Sequence, residues 1–211
     1  MSKKTIAILT ILIAIILDQV IKIYVKTHYA LGDGFEVFNW FKIHFVENNG
    51  MAMGFEFGGR AGKLFLTLFR IVACGAIIYW LASNIKRKVH NAVIIGIALI
   101  FSGAVGNILD SIFYGVIFDS SEHKVATLFA DEPYGELFYG KVVDMFYFPI
   151  WTGNLPEWIP FVGGDMFTFF QYIFNPADSY ITIGVVLLFI FSKYAFPKEE
   201  KLVEETSTPE V

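Results

Sequence analysis

The chain has 211 residues, of which 55% are hydrophobic, 18% aromatic and only 17% charged, where soluble domains carry roughly 25% charged residues. That much apolar surface cannot be hidden in one core of this size, so the bilayer is the expected solvent and an ordinary soluble fold is excluded. A net charge of −4 without a basic patch gives no reason to expect nucleic acid, and the single cysteine, Cys74, excludes an intrachain disulfide and any multi-cysteine metal site.

In chain order, Lys3 and Lys4 precede a first apolar span, residues 5–25, interrupted only by Asp18 and Lys22. It is too long for the apolar core of a signal peptide and no small-x-small cleavage site follows, so it reads as a retained helix. Next comes "WFKIHFVENNGMAMGFEF", in which Phe41, Ile43 and Phe45 fall on one face and Lys42 and His44 on the other. Met51, Met53, Phe55 and Phe57 repeat the alternation after Asn-Gly, a strong hairpin signal, so a small β-sheet is expected over about 35–60. The second span, residues 64–83, carries Arg70, expected to pair with a carboxylate, a carbonyl or a lipid head group.

A tight turn with Lys86, Arg87 and Lys88 leads to the third span, which has no charge over residues 92–109 and is expected to be helical to about 113. Residues 115–175 form a long second outer segment. Its first part is acidic and turn-rich; its later part is crowded with Phe, Trp151, Trp158 and Tyr147, residues suited to an interfacial lid. The fourth span, residues 176–195, is charged only at Asp178 and Lys193. Each span is long enough to cross about 30 Å of hydrocarbon. Lysine and arginine gather before span one, between spans two and three and after span four. The positive-inside rule then puts both termini in the cytoplasm and residues 26–63 and 115–175 outside. The expected fold is thus mainly α, a single membrane-embedded domain over residues 1–196 with four transmembrane helices, a small outer sheet and a lid. Residues 197–211 make a charged cytoplasmic tail expected to be disordered.

Burying a carboxylate in or near hydrocarbon costs a few kcal/mol, so each one needs a partner or a purpose. Asp18 lies four residues before Lys22 and reads either as an intrahelical ion pair or as part of a polar wall. Asp110 ends the charge-free third span and shares a face with Asn107, while Gly103 and Gly106 permit close helix approach. Asp144 interrupts the apolar run "GKVVDMF" and reads as an exposed loop residue or as a desolvated carboxylate with a raised pKa. Asp178 fits the third helical position after an Asn175 N-cap and Pro176, where an acid bonds free N–H groups and favours the helix dipole. Asp165, beside Gly163 and Gly164, reads as a turn residue, and His28, His44, His90 and His123 have no ligand spacing. Two carboxylates brought together would share a proton, as in aspartic peptidases, where one activates water and the other donates to the carbonyl oxygen. Five candidates allow ten pairs, and spacing does not choose among them. A small proton- or ion-coupled transporter is the alternative that the same residues leave open.

The motifs in order resemble those of the bacterial lipoprotein signal peptidases (signal peptidase II). "LDQVIK" resembles the family's first-helix motif through Asp18 and Lys22. "ENNGMAMGF" is similar to its Asn-x-Gly stretch through Asn48 and Gly50, and "GAVGNILD" to its Gly-Asn-x-x-Asp motif through Gly106, Asn107 and Asp110. "GKVVDMF" and "FNPADSYITIG" resemble the two motifs that carry the catalytic aspartates, here Asp144 and Asp178. The resemblance implies four transmembrane helices, an outer β-sheet cradle and an interfacial helix. The implied activity is aspartic endopeptidase cleavage of prolipoproteins just before a diacylglyceryl-modified cysteine. It would take place in the bacterial inner membrane near the outer leaflet, without metal or cofactor and within a monomer. Asp18, Lys22, Asn48, Gly50, Asn107, Asp110 and Asn175 would line the substrate site, with the lipidated prolipoprotein and membrane lipids as partners. Two departures stand out: Ser111 replaces the family's arginine, a role expected to pass to Lys141 or to the insert, and both gaps between Asp110, Asp144 and Asp178 are longer than is usual.

Overall fold

In the computed structural model, residues 1–50 and 59–195 are described. Among these residues three helices are long and apolar enough to cross a membrane: α1 (Lys3–His28), α2 (Gly59–Lys86) and the stretch Asn91–Ile117. The last comprises α3 (Asn91–Leu109), one π-helical turn (Asp110–Tyr114) and a short α4 (Gly115–Ile117). The fourth apolar helix is shorter. α5 (Pro176–Ile190) has 15 residues, or about 22 Å at a 1.5 Å rise. Where the sequence predicts a span running unbroken to 195, the chain breaks at Phe191 and resumes as α6 (Ser192–Ala195). The break coincides with ring stacking: Phe191 lies 4.9 Å from His90 and Tyr194 lies 5.3 Å from it. That anchors the end of α5 against the start of α3.

α3 is the most enclosed of the spans, and small residues let its neighbours close on it. Gly96 meets the backbone of Gly184, Gly103 meets the Ala177 carbonyl and Ile181, and Gly106 lies against the Asp18 carboxylate and Ala177. A methyl group at Gly103 would overlap the Ala177 carbonyl oxygen, which is backbone and cannot swing away. Gly103→Ala is therefore expected to cost about 1–3 kcal/mol, as overpacking does. A thermal midpoint indistinguishable from wild type would refute this packing argument.

Lys3 at the start of α1 donates to Asn91 Oδ1 at 2.9 Å and to the Val89 carbonyl, so the chain's start and the α2–α3 turn share one end of the bundle. At the other end sits a four-stranded antiparallel sheet in the order β1 (Gly34–Phe38), β2 (Phe41–Asn48), β3 (Val142–Tyr147), β6 (Ile173–Phe174). Its place and the β2 alternation agree with the sequence expectation. The second alternating run, 51–57, lies outside the described residues. In the second outer segment, β4 (Trp151–Asn154) and β5 (Met166–Phe169) form a separate hairpin. Among the described residues of 115–175 no helix other than α4 occurs, so the aromatic region is a β-hairpin there and not an interfacial helix. Proline and glycine at Pro156, Pro160, Gly153, Gly163 and Gly164 explain that choice, since they interrupt any helical run.

Two apolar clusters flank a polar layer. One gathers Ala7, Leu81, Val93, Ile94, Ile97 and Ala98 toward the α2–α3 turn. The other joins Val25, Phe45, Tyr114, Phe118, Val143 and Met145 beneath the sheet. Along α1 and α3 the residues between them include Asp18, Lys22, Asn107 and Asp110, all buried.

Candidate active site

The α5 N-terminus is built by its own sequence. Asn175 caps it: its Oδ1 accepts from the Asp178 N–H at 3.0 Å, and its own N–H donates to Asp178 Oδ2 at 3.3 Å, with Pro176 opening the helix. This reciprocal box satisfies two backbone donors and fixes Asp178 at the third helical position. The other Asp178 oxygen, Oδ1, accepts from Asn107 Nδ2 at 3.0 Å.

Asp144 stands on β3 with Val142, Val143 and Met145 buried around it, which accounts for its apolar sequence context. Its Oδ1 accepts from Asn175 Nδ2 at 2.6 Å and its Oδ2 from Asn48 Nδ2. Asn175 thus holds Asp178 with its backbone and Asp144 with its amide, and brings the two carboxyl groups to either side of one residue. Burial, and then the negative charge of Asp178, push the Asp144 carboxyl up to about 7, against the opposing pull of the Asn175 and Asn48 amides and Lys22.

Behind this pair lies a closed polar layer. The Lys22 ammonium has three donors, and three acceptors meet it: Asp18 Oδ2 at 3.1 Å, Asp110 Oδ2 at 2.7 Å and Asn107 Oδ1 at 2.8 Å. The first contact is the predicted intrahelical pair; the second ties α1 to the end of α3. Gln19 donates to Asp18 Oδ2 and Asp110 Oδ1, each at 3.0 Å. Asp18 Oδ1 accepts the Ala177 N–H at 3.0 Å, one of the free donors of the α5 first turn. Because Lys22 can only donate, Asn107 must turn its oxygen to Lys22 and its NH2 to Asp178. The same logic orients Asn175, whose oxygen is taken by an N–H and whose NH2 therefore faces Asp144 and Asn107 Oδ1, the latter at 3.1 Å.

Asn48 ends β2 opposite Val142 and reaches Asp144 diagonally, Asp144 itself pairing with Val46, in a β2–β3 ladder that carries a register irregularity just before Val46. Asn48 Oδ1 accepts the Gly50 N–H, and Arg70 donates to the Gly50 carbonyl. Gly50 has φ +85°, a left-handed conformation that favours glycine; a Cβ there would come within 2.9 Å of Arg70 Nη1, at the movable end of that side chain. Arg70 binds a carbonyl, one of the partners expected for it.

The model of the family described as signal peptidase (SPase) II matches residues 10–194. The chain belongs to that family. A protein named lipoprotein signal peptidase from Porphyromonas gingivalis is 51% identical over 189 residues, covering 89% of this chain and 82% of that protein. One of the same name from Amoebophilus asiaticus is 34% identical over 203 residues, covering 92% and 80%. A solved structure described as a bacterial membrane enzyme, determined by the in meso method at 1.9 Å resolution, aligns with a TM-score of 0.58 at 26% identity, covering 87% of this chain and 90% of that one. Family membership sets aside the transporter alternative.

In this signal peptidase II, all nine residues singled out by motif gather in one region: Asp144 and Asp178 with Asn48, Gly50, Asn107 and Asn175 around them, and Asp18, Lys22 and Asp110 beneath. Asp165 lies in the exposed loop before β5, as a turn residue should. The Ser111 departure resolves differently from expectation. Lys141 pairs with Glu47 at 3.6 Å, away from the carboxylate layer, and Ser111 Oγ donates back to the Asn107 carbonyl at 2.9 Å. Arg70 of α2 reaches this region from another side, donating to the Gly50 carbonyl. Motif reading missed Gln19 and Arg70 as members of the site. The signal for Gln19 was present, a polar residue beside Asp18 in an otherwise apolar helix. It also missed Lys26, which extends the Asp18–Lys22 face by another four residues and pairs with Glu47, with Ser121 Oγ at 2.8 Å.

Proposed function

We propose that this chain removes the signal peptide from diacylglyceryl-modified prolipoproteins, cutting before the lipidated cysteine, with Asp144 and Asp178 as the catalytic dyad. The observation that carries the proposal is the pairing itself: two carboxyls flank Asn175, and one of them, Asp144, sits near 7 in a membrane protein of a peptidase family. In the reaction, the Asp178 carboxylate takes a proton from water as the water oxygen attacks the scissile carbonyl. Asp144 gives its proton to the carbonyl oxygen. The tetrahedral intermediate then collapses: Asp144 takes a hydroxyl proton back as the C–N bond breaks, and Asp178 passes its proton to the leaving nitrogen of the cysteine. Water is consumed, both carboxyls end as they began, and the step uses only protons these residues hold.

Asn107 and Asn175 hold the two acids in place, and Asn48 with Gly50 forms the edge along which the peptide lies. Asp18, Lys22 and Asp110 are fully enclosed, which favours a foundation role beneath the site over direct contact with substrate. The positive-inside rule assigns the end bearing Lys3 and Lys86–Lys88 to the cytoplasm, so the sheet and the dyad face the outer leaflet of the bacterial inner membrane. A monomer holds the whole site.

The test uses the full chain in bilayers with a diacylglyceryl prolipoprotein. Mass analysis should find cleavage before the lipidated cysteine and none in the unlipidated precursor. Asp178→Asn should lose about 10³-fold in turnover, within the span for loss of a general base. A folded Asp178→Asn protein with near-normal turnover would falsify the dyad.

A further inference from the structure

A second buried ion pair lies beyond the carboxylate layer, one helical turn further along α1 from Lys22. The Lys26 side chain is wholly enclosed, and that of Glu47, its partner on β2, is only 4% exposed. Ser121 of the second outer segment closes the group: its Oγ accepts from Lys26 at 2.8 Å and donates to Glu47 Oε1 at 3.1 Å. Three rings surround the ammonium, Tyr134 at 4.9 Å, Phe118 at 5.2 Å and Phe45 at 5.9 Å. Ser121 is itself held in place, because its carbonyl accepts the Leu31 N–H at 2.9 Å. A helix, a strand and the second outer segment thus meet at one point.

Stability does not account for this arrangement. Exchanging a buried ion pair for apolar side chains of similar size is often neutral or stabilising, and the apolar cluster of Val25, Phe45, Phe118 and Val143 adjoins this one. What a charged, hydrogen-bonded pair supplies and leucine does not is direction. That direction matters because of where Glu47 stands. On β2, Val46 pairs with Asp144, Glu47 with Val143 and Asn48 with Val142. Side chains alternate along a strand, and paired residues share a face. Glu47 therefore points to the apolar cluster, whereas Asn48, next in the chain, points to the dyad side with Asp144. Asn48 is also the last residue of β2. The tie at Glu47 fixes that strand end from behind, and in front Asn48 delivers its amide to Asp144 Oδ2.

We propose that Lys26, Glu47 and Ser121 are positioning residues for the peptidase reaction: the tie they make behind β2 sets the angle at which Asn48 presents its amide to Asp144. The inference rests on the dyad reading and adds three residues that touch neither substrate nor the reacting atoms. It also gives the first part of the second outer segment a task, since Ser121 comes from there.

The first readout needs no substrate. The infrared carbonyl band of the protonated Asp144 carboxyl, isolated by subtracting the Asp144→Asn spectrum, is titrated in the full chain in bilayers. The Asn48 amide favours the ionised form of Asp144, so loosening it should move the midpoint up. The charged groups around Asp144, namely Asp178 on α5, Lys22 on α1, Asp110 at the end of α3 and Arg70 on α2, stay as they are in every variant. Lys26→Met removes a positive charge and Glu47→Gln a negative one. Acting by charge alone, the first would move the midpoint up and the second down. Acting through Asn48, both should move it up by about half a pH unit and lower kcat about tenfold, with KM within about twofold. Asn48→Ala should raise the midpoint by itself, and adding Glu47→Gln to it should raise it no further. Opposite movements, no movement, or an equal further rise in the Asn48→Ala background overturn the proposal. Ser121→Ala, which changes no charge, takes the place of either variant that does not fold, and its midpoint should also rise. If wild type cuts no diacylglyceryl prolipoprotein, the peptidase reading fails, while the titration still decides the tie.

Discussion

Replacing Asp144 by asparagine is expected to lower turnover by about 10³-fold or more and, at the same time, to make the folded protein progressively more stable than wild type as pH rises. Both effects come from one carboxyl. Asp144 is 3% exposed and is pushed up to about 7 by burial and by the Asp178 charge, whereas an unfolded aspartate titrates near 3.9. Below about 4 both states hold the proton, and Asp144 adds no pH dependence. Between about 4 and 7 the unfolded chain has released its proton and the folded one has not, so the folded state binds more protons and loses stability with rising pH. Above 7 the loss is complete and constant. Three pKa units correspond to up to about 4 kcal/mol. Asparagine abolishes that loss but turns its NH2 toward either Asn48 or Asn175, so one of those amides then faces a donor and part of the gain is offset. Unfolding of both proteins at several pH values in one lipid system measures the gap. It should move in favour of the variant from pH 4 to 7 and then level; a pH-independent gap would mean that Asp144 is an ordinary surface-like carboxylate. The wild-type rate should fall above about 7 as Asp144 ionises and loses the proton it gives to the carbonyl oxygen, and a rate that is flat through pH 7 while chemistry is limiting would refute that role.

The parts of this site readable in the sequence were those with local causes. Asn175-Pro176-Ala177-Asp178 announced a helix start because capping is a matter of three or four adjacent residues, and the capping box is there. The Asp18–Lys22 contact follows from helical spacing alone. β2 was visible because its apolar residues alternate. What spacing could not supply was every contact between distant segments. Asp144 and Asp178 meet through Asn175, but nothing in either motif selects that pair among ten; only the resemblance to a known family did. Asn107 reads as a polar residue at a helix end, and its amide is fixed by groups from other segments, the Lys22 ammonium and Asn175 amide on its oxygen and Asp178 on its NH2. β4 and β5 were hidden because their residues are almost all exposed, and an exposed hairpin has no inside to impose alternation. The break at Phe191 left no trace because residues 176–195 carry no stop signal, and the cause lies on His90, a hundred residues earlier in the chain.

Lys22→Met is expected to destabilise the fold by about 3–5 kcal/mol, the usual cost of removing one partner from a buried charge cluster. Lys22 is wholly enclosed and is the cation between Asp18 and Asp110. Without it, two carboxyl groups share Gln19, the Ala177 N–H and the distant Val143 N–H, at 3.5 Å, as their partners. Methionine matches the stem but supplies no donor. The informative comparison is the triple variant with Asp18→Asn and Asp110→Asn added. Replacing a whole buried ionic cluster by neutral groups is often close to neutral, so most of the lost stability should return, and the effects should be strongly non-additive. Activity should not return with it. Asn107 loses the shorter of the two donors to its oxygen and keeps only Asn175 Nδ2 at 3.1 Å, so its amide is held less firmly in the orientation that offers NH2 to Asp178. The triple variant should therefore melt near the wild-type midpoint while its kcat stays at least tenfold low with KM little changed. Recovery of both stability and kcat would reduce the Lys22 layer to packing. Loss of neither in Lys22→Met would mean that the ammonium is not the tie between α1, the end of α3 and the dyad.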